Sequence, residues 1–475
     1  MAIGTVYDVA VIGAGAVGSA IARELARYDL NCALVEAGPD VGVGTSKANT
    51  AIWHTGYDAK PGSLEARLLR RSYTLLKEFI PQAGIPYESL GGLLIAWNED
   101  QRQALPGLLE KAYQNGDTNV QLVSADEVYQ REPRLNVGGL GGLWVPDEAI
   151  FCPYTLPIAL ATQAVLNGAS LFLNHPVHEI TADGDGMYTL NGPGGNVRCR
   201  YIVNAAGLYS DEIDRLLGHH DFTVTPRRGE LIVFNKFSRS LVNHILLPVP
   251  TAITKGVLIS PTVYGNVMLG PTAEDLPDKT NTSTSEKGLQ MLWEKGEAIL
   301  PALMREEVTA TYAGLRPATE HSDYQIRLHA EQRYVCAGGI RSTGVSGCLG
   351  IAEYVAALLS EAGLALSLKS EFKPVRMPYI GEAGPRPYQS AEMISANPAY
   401  GEIVCHCERV SLGEILDATH AIIPARTLDG LRRRTRALQG ACQGFNCHAA
   451  LVAHLVRETG QNADRLLGLE AEHVA

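Results

Sequence analysis

Val6-Tyr7-Asp8-Val9-Ala10-Val11-Ile12-Gly13-Ala14-Gly15-Ala16-Val17-Gly18 is the stretch on which the fold turns. Tyr7 to Ile12 reads as a short buried strand, and helical periodicity runs from Ala16 to Tyr28 behind the glycines. Asn31 to Val35 is a second strand, ending at Glu36, 18 residues beyond the last motif glycine. Gly13 permits the tight turn, Gly15 lets backbone approach a pyrophosphate, and Gly18 lets helix and strand pack closely. Ala16 and Val17 then begin a helix whose N-terminus faces phosphates. Glu36, with Ala37 beside it, is placed to accept hydrogen bonds from ribose hydroxyls. The unit reads as a dinucleotide site. Its position at the head of the chain, with no second such motif after a later strand, favours resident FAD over a separate NAD(P) domain.

At 475 residues the chain is long enough for two to four domains, at about 100–200 residues each. With 46% apolar and 19% charged residues it can bury a large core without disulfides. A net charge of −11 argues against nucleic acid or an anionic membrane surface as partner. No run of 18 apolar residues appears, so no spanning helix is expected. The apolar opening carries motif glycines and lacks a basic n-region, so it is not a signal peptide. The expected location is the cytoplasm, with membrane attachment only through a partner. Arg432, Arg433, Arg434 and Arg436 form the one basic cluster and read as a solvated helix face.

Further helices are expected at Leu64 to Phe79, Gln101 to Gln114, Pro153 to Asn167, Ser285 to Leu300 and Val345 to Ala362. Strands are expected at Leu90 to Trp97, Arg200 to Asn204, Glu230 to Phe234, Val257 to Ser260 and Tyr334 to Ala337. The fold class is α/β: a Rossmann-like FAD-binding domain interleaved with a mixed-sheet substrate domain, followed by a small helical metal-binding domain. FAD-binding segments are placed at 1–80, 150–220 and 330–370, and substrate segments at 81–149 and 221–329. A proline-rich stretch at 371–400 reads as an extended linker, and 401–475 as the C-terminal domain.

Four blocks together resemble the D-amino-acid-oxidase-type superfamily of FAD enzymes, on the side of bacterial glycerol-3-phosphate and L-2-hydroxyglutarate oxidising proteins. They are the N-terminal glycine motif, Gly44-Thr45-Ser46-Lys47-Ala48-Asn49-Thr50-Ala51-Ile52-Trp53-His54-Thr55-Gly56-Tyr57, Val203-Asn204-Ala205-Ala206-Gly207, and Gly338-Gly339-Ile340-Arg341-Ser342-Thr343-Gly344. The resemblance implies that Thr45, Ser46, Asn49 and Thr50 lie along the flavin and that Val177, Ala206 and Gly207 approach the dinucleotide. It also implies that Gly339, Arg341, Thr343 and Gly344 bring a helix N-terminus to the flavin, where its partial positive charge favours the anionic reduced ring.

On the substrate side, His54 is the candidate base for a hydroxyl proton, with Tyr57 lining the pocket. His175, His178 and His244 are weaker alternatives. Arg316, in Gly314-Leu315-Arg316-Pro317, resembles the family's anion-binding arginine, and Arg341 is a second anion contact; guanidinium suits carboxylate or phosphate. Trp53 is bulkier than its counterparts and is expected to reshape the pocket.

Cys32, Cys152, Cys199, Cys336 and Cys348 are scattered, as buried thiols are. Cys405-x-Cys407 and Cys442-x4-Cys447 are not, and in a reducing compartment such a cluster reads as a metal site. Four thiolates suit a [2Fe–2S] cluster or zinc, and the scarcity of C-x-x-C pairs tilts toward iron–sulfur. The spacing resembles the bacterioferritin-associated-ferredoxin-like [2Fe–2S] domain, with helices expected at Ser411 to Ala418 and Thr427 to Thr435.

The leading expectation is an FAD-dependent dehydrogenase that oxidises a secondary alcohol on a small anionic substrate, a 2-hydroxy acid or a polyol phosphate. Electrons would leave through the cluster to a quinone, a carrier protein or a partner subunit. The alternatives are amino- or imino-acid oxidation, and an electron-transfer subunit of a larger complex.

Overall fold

The computed structural model describes residues 5–184, 186–250 and 256–469. Two compact units divide the chain, one running to Val375 and the other from Arg376.

The larger unit is built on two sheets. In the first, five parallel strands lie in the order Ser170–Phe172, Cys32–Val35, Val6–Ile12, Gly195–Asn204 and Tyr334–Gly338. Such strands are covered on both faces, which is why they read as unbroken apolar runs. Val9, Ala10, Val11, Ala33, Leu34 and Val203 are fully buried. Antiparallel strands flank this core, including Gln325–His329 beside Tyr334–Gly338. The helix Ala16–Leu25 packs between Thr155–Leu166 and Gly344–Glu361, and the last packs in turn on Leu64–Gln82. That crossing is tight: a Cβ on Gly350 would collide with the carbonyl oxygen of Leu68.

The second sheet has nine strands, with Val308–Ala318 and Thr225–Phe234 paired along nearly their whole length. The helix Glu286–Ile299 packs on it, burying Leu292 with Leu269, Phe234 and Leu303. A third, three-stranded sheet joins Ile52–Trp53 and Tyr87–Ser89 to Ala149–Phe151.

Three expectations need correction. Gln325–His329 falls in the expected substrate segment 221–329, but it extends the first sheet, because it forms a hairpin with Tyr334–Gly338. The expected linker at 371–400 belongs, from Arg376, to the C-terminal unit. Its Arg386 side chain is completely buried and donates to Glu414 Oε1 at 2.7 and 2.9 Å. Nor is the arginine cluster a solvated face: Arg433, Arg434 and Arg436 are buried and spend their donors on Asp429, on the Ile423 and Gly430 carbonyls, and on Glu408. Only Arg432 stays half exposed.

The C-terminal unit holds the short pair Ile403–Cys405 and Val410–Ser411 and the helices Leu412–His420, Leu428–Thr435, His448–Thr459 and Ala463–Leu466. Ser411 and Glu414 form a capping box that starts the first of these helices. Ile415, Leu431, Leu451 and Leu455 close a core around Cys405 and Cys447. Among the described residues no helix is long and apolar enough to cross a membrane.

Candidate functional site

A cavity of about 1110 Å³ opens in the larger unit at the carboxyl ends of the parallel strands. It exceeds the roughly 300–1,000 Å³ of an ordinary ligand pocket, as a dinucleotide plus a substrate requires. Its wall contains Gly13, Gly15, Ala16, Val17, Glu36, Ala37, Thr45, Ser46, Asn49, Thr50, Val177, Ala206, Gly207, Thr343 and Gly344. His54, Tyr57, Arg316 and Arg341 line it too. Gly18 and Gly339 do not. Gly18 sits behind the wall, where a Cβ would strike the Gly13 carbonyl oxygen, and Gly339 takes a left-handed turn against Gln325.

The glycine turn is shaped as the sequence requires. Gly13 has φ +101°, and a Cβ there would lie 2.9 Å from the carbonyl carbon of Ala205. Glu36 accepts from the N–H groups of Ala14 and Gly38, each at 2.7 Å, and burial pushes its carboxyl up. The 44–51 loop is pinned over the cavity by its own side chains. Ser46 Oγ accepts from Ala16 N–H at 2.9 Å, Thr45 Oγ1 donates to Leu315 O at 2.7 Å, and Tyr312 donates to Asn49 O at 2.9 Å. Gly314 permits this approach, since a Cβ would collide with Ala48.

The helix Gly344–Glu361 starts at the cavity with no side chain capping its first N–H groups. Those donors and the helix dipole are left to meet whatever polar or anionic group the cavity holds. Thr343 instead donates to Glu65 at 2.7 Å, and Arg341 donates to the same carboxylate at 3.1 Å. Arg341 therefore has its charge matched within the protein. Arg316 does not: Nη2 donates to Thr272 O at 2.6 Å, and among the described residues no carboxylate pairs with it. Burial pulls its guanidinium down to about 10.

His54 is held on both ring nitrogens. Nδ1 lies 2.7 Å from Glu148 Oε1 and Nε2 2.9 Å from Asp58 Oδ1. Burial opposes a charge on the ring, but the two carboxylates outweigh it and push the imidazole up to about 10. Tyr57 packs edge-on against the ring, 5.3 Å between centroids, and burial pushes its phenol up as well. Glu148, Asp58 and Ser346 escape sequence reasoning. The pairing of Trp53 with Ala149 explains the first: the next residues across the ladder are His54 and Glu148, and no local pattern announces a partner 94 positions away. Trp53 points the other way, packing on Tyr73 and Tyr87 instead of reshaping the cavity. His175 and His178 line the cavity beside Val177, whereas His244 pairs with Glu132 outside it.

In the C-terminal unit the thiols meet in two pairs, Cys405 with Cys447 and Cys407 with Cys442. Among the described residues no three of these sulfurs gather within 4.8 Å of one another. Two pairs suit a cluster in which each of two irons takes two thiolates; one tetrahedral zinc needs all four together. Backbone N–H groups of Asn446, Gly444 and Phe445 point at Cys442 and hold its thiol below the usual range, the environment a bound sulfur anion needs. Gly440 is required where a Cβ would collide with that of Cys407.

Comparison with known proteins agrees with both halves. Residues 8–358 match the family described as FAD dependent oxidoreductase, and residues 403–457 match the BFD-like [2Fe-2S] binding domain. The chain is 35% identical over 457 residues to glycerol 3-phosphate dehydrogenase of Caloramator mitchellensis, covering 96% of this chain and 95% of that protein. It is 31% identical over 283 residues to the human mitochondrial L-2-hydroxyglutarate dehydrogenase, covering 56% of this chain and 61% of that one. In structure it resembles dithionite-reduced L-alpha-glycerophosphate oxidase from Mycoplasma pneumoniae with FAD bound, with a TM-score of 0.74 and 29% identity over 79% of this chain and all of that one.

Proposed function

Because the chain belongs to the FAD dependent oxidoreductase family and carries a BFD-like [2Fe-2S] binding domain, we propose that it is a dehydrogenase of glycerol 3-phosphate. The enzyme is an FAD-dependent oxidoreductase acting on a small substrate, with FAD and a [2Fe–2S] cluster as its cofactors. The observation that carries an anionic substrate is Arg316. It is a half-buried guanidinium in the cavity wall, its Nη2 fixed by Thr272 O and with no carboxylate among the described residues in hydrogen-bonding contact with it. A guanidinium so placed suits phosphate and carboxylate alike, and the choice of phosphate is supported by the near full-length likeness to a glycerol 3-phosphate dehydrogenase.

The residues divide the work. Arg316 binds the phosphate and so orients the secondary alcohol. His54 Nε2 takes the hydroxyl proton once Asp58 has turned away, while Glu148 holds the proton on Nδ1. Bound FAD supplies the acceptor for the hydride that leaves carbon. The uncapped N-terminus of Gly344–Glu361 stabilises negative charge beside it. The C-terminal unit provides a one-electron exit toward a quinone, a carrier protein or a partner subunit.

Anaerobic mixing of the holoenzyme with single substrates tests this reading. Glycerol 3-phosphate should bleach the visible flavin band, with L-2-hydroxyglutarate and amino acids far slower. Bleaching by an amino acid alone would overturn it. In C407S, bleaching should persist while reduction of an added quinone is lost.

A further inference from the structure

We propose that Glu148 and Asp58 are positioning residues that share the two nitrogens of His54: Glu148 keeps the proton on Nδ1, and Asp58 is the partner that the substrate hydroxyl displaces from Nε2. The proposal rests on the alcohol-oxidation reading above.

The two carboxylates are held differently. Glu148 is 1% exposed, and its Oε1 also accepts the N–H of Thr55 at 2.8 Å. Gly91 N–H donates to its carbonyl at 2.8 Å, and the residue directly precedes the strand Ala149–Phe151, whose register with Ile52–Trp53 is fixed. Its Oε2 is buried with no hydrogen-bond partner among the described residues. A desolvated carboxylate so placed has one partner of opposite charge, the imidazole, and cannot be satisfied by turning to water. Glu148 therefore fixes the tautomer.

Asp58 sits on a loop. Asn115 Nδ2 holds that loop's backbone by the carbonyls of Gly56, Tyr57 and Ala59, at 3.1, 3.1 and 2.8 Å. The side chain can rotate while the backbone stays anchored. Asp58 also lines the cavity, so a ligand that reaches His54 meets it. Besides these two, Tyr57 faces the ring edge-on, Ser346 Oγ accepts the backbone N–H of His54 at 3.0 Å, and Lys111 reaches the Asp58 carbonyl at 3.5 Å. Asp117 bonds to neighbouring Thr55.

With both carboxylates in place the ring holds two protons and cannot act as a base. When the hydroxyl takes the Asp58 position, the Nε2 proton leaves with Asp58 and passes to water. Nε2 then accepts the hydroxyl proton as the C–H bond gives up its electron pair as hydride, and the C–O bond becomes a carbonyl. Glu148 holds Nδ1–H throughout. The pattern is that of an oriented base, in which the carboxylate partner sets the tautomer.

The test uses holoenzyme variants E148Q, D58N and H54N. Two readouts are taken: the titration of His54 by NMR with labelled histidine, assigned by its loss in H54N, and the anaerobic rate of flavin reduction by glycerol 3-phosphate across neutral to alkaline pH. Both carboxylate variants should lower the titration midpoint of His54 by about one unit or more. The alkaline plateau rate should fall about 100-fold in E148Q, and at least tenfold less in D58N. Unshifted titration in both variants, or a wild-type plateau in E148Q, would overturn the proposal. If E148Q loses FAD, E148D takes its place and should keep the raised midpoint; a midpoint that falls in E148D overturns the proposal. H54N reducing flavin at the wild-type rate would instead defeat the base reading itself. A slow H54N with a normal E148Q defeats only this inference.

Discussion

Arg227 and Arg316 lie directly opposite each other in the antiparallel ladder of Thr225–Phe234 with Val308–Ala318, and both line the cavity. Asp275 hydrogen-bonds only one of them, Arg227, at 2.6 and 2.9 Å, and acts on Arg316 only through space. Directly opposed like charges are unfavourable, and Arg316 is half-buried as well. An arrangement of this kind is stabilised by an anion that arrives from outside.

Removing that guanidinium should therefore cost binding. R316A is expected to raise KM for glycerol 3-phosphate about 100-fold, equivalent to losing a charge-assisted hydrogen bond of roughly 2–3 kcal/mol. R316K should recover little, because a point charge lacks the two parallel donors. FAD content should be unchanged in both. Steady-state kinetics with flavin-normalised enzyme decides it.

The His54 cluster gives a pH signature to stability. The folded-state value, about 10, lies above the unfolded one of about 6.5. The resulting stabilisation is fully present below pH 6.5 and is lost as pH rises through 10. Urea midpoints of the protein should fall between neutral pH and pH 10, and H54N should flatten that fall. A profile for H54N as steep as that of the wild type would rule the cluster out as the cause.

Gly18 admits no side chain. In G18A the new Cβ meets the backbone oxygen of Gly13, which cannot swing aside as a flexible side chain could. The helix Ala16–Leu25 must shift away from the turn, at a cost of about 1–3 kcal/mol, as overpacked cores show. We expect a lowered melting temperature and sub-stoichiometric FAD, read from the absorbance ratio of purified protein. G107A makes a control: a Cβ there meets nothing within 4 Å, and the residue lies inside the helix Glu99–Gln114, where alanine is favoured over glycine.

In the C-terminal unit Arg436 Nε donates to Glu408 Oε2 at 2.8 Å, both side chains nearly sealed from water. R436M removes the guanidinium from a buried carboxylate, a change that costs about 3–5 kcal/mol in comparable pairs. Glu408 follows Cys407 directly, so iron content and visible circular dichroism should fall together. Adding E408Q to R436M should restore part of both, since the buried charge is then gone.

Much of this was legible in the sequence because it is local. The turn at Gly13, the strand ending at Glu36 and the loop from Thr45 to Asn49 each declare themselves within a few residues, through glycine geometry and periodicity. What stayed hidden depends on distant pairing. Glu148 reaches His54 only through the register of two short strands, and Arg341 turns out to be committed to Glu65, 276 positions away. Charge runs misled for a related reason. Arg433, Arg434 and Arg436 look like a solvated face, yet each finds a carboxylate or helix-end carbonyl that composition does not reveal.

Arg386 has a consequence for how this protein can be taken apart. It lies upstream of the thiol-bearing loops, yet its Nη1 and Nη2 donate to the Glu408 and Arg409 carbonyls, each at 3.2 Å, while Glu414 neutralises it. The residues from Arg376 onward are thus a rivet in the iron–sulfur module. A fragment cut at residue 401 leaves that rivet behind, with a vacant socket directly after Cys407. The portable unit begins near Arg376, and a graft of this module onto another flavoenzyme has to carry that strap with it.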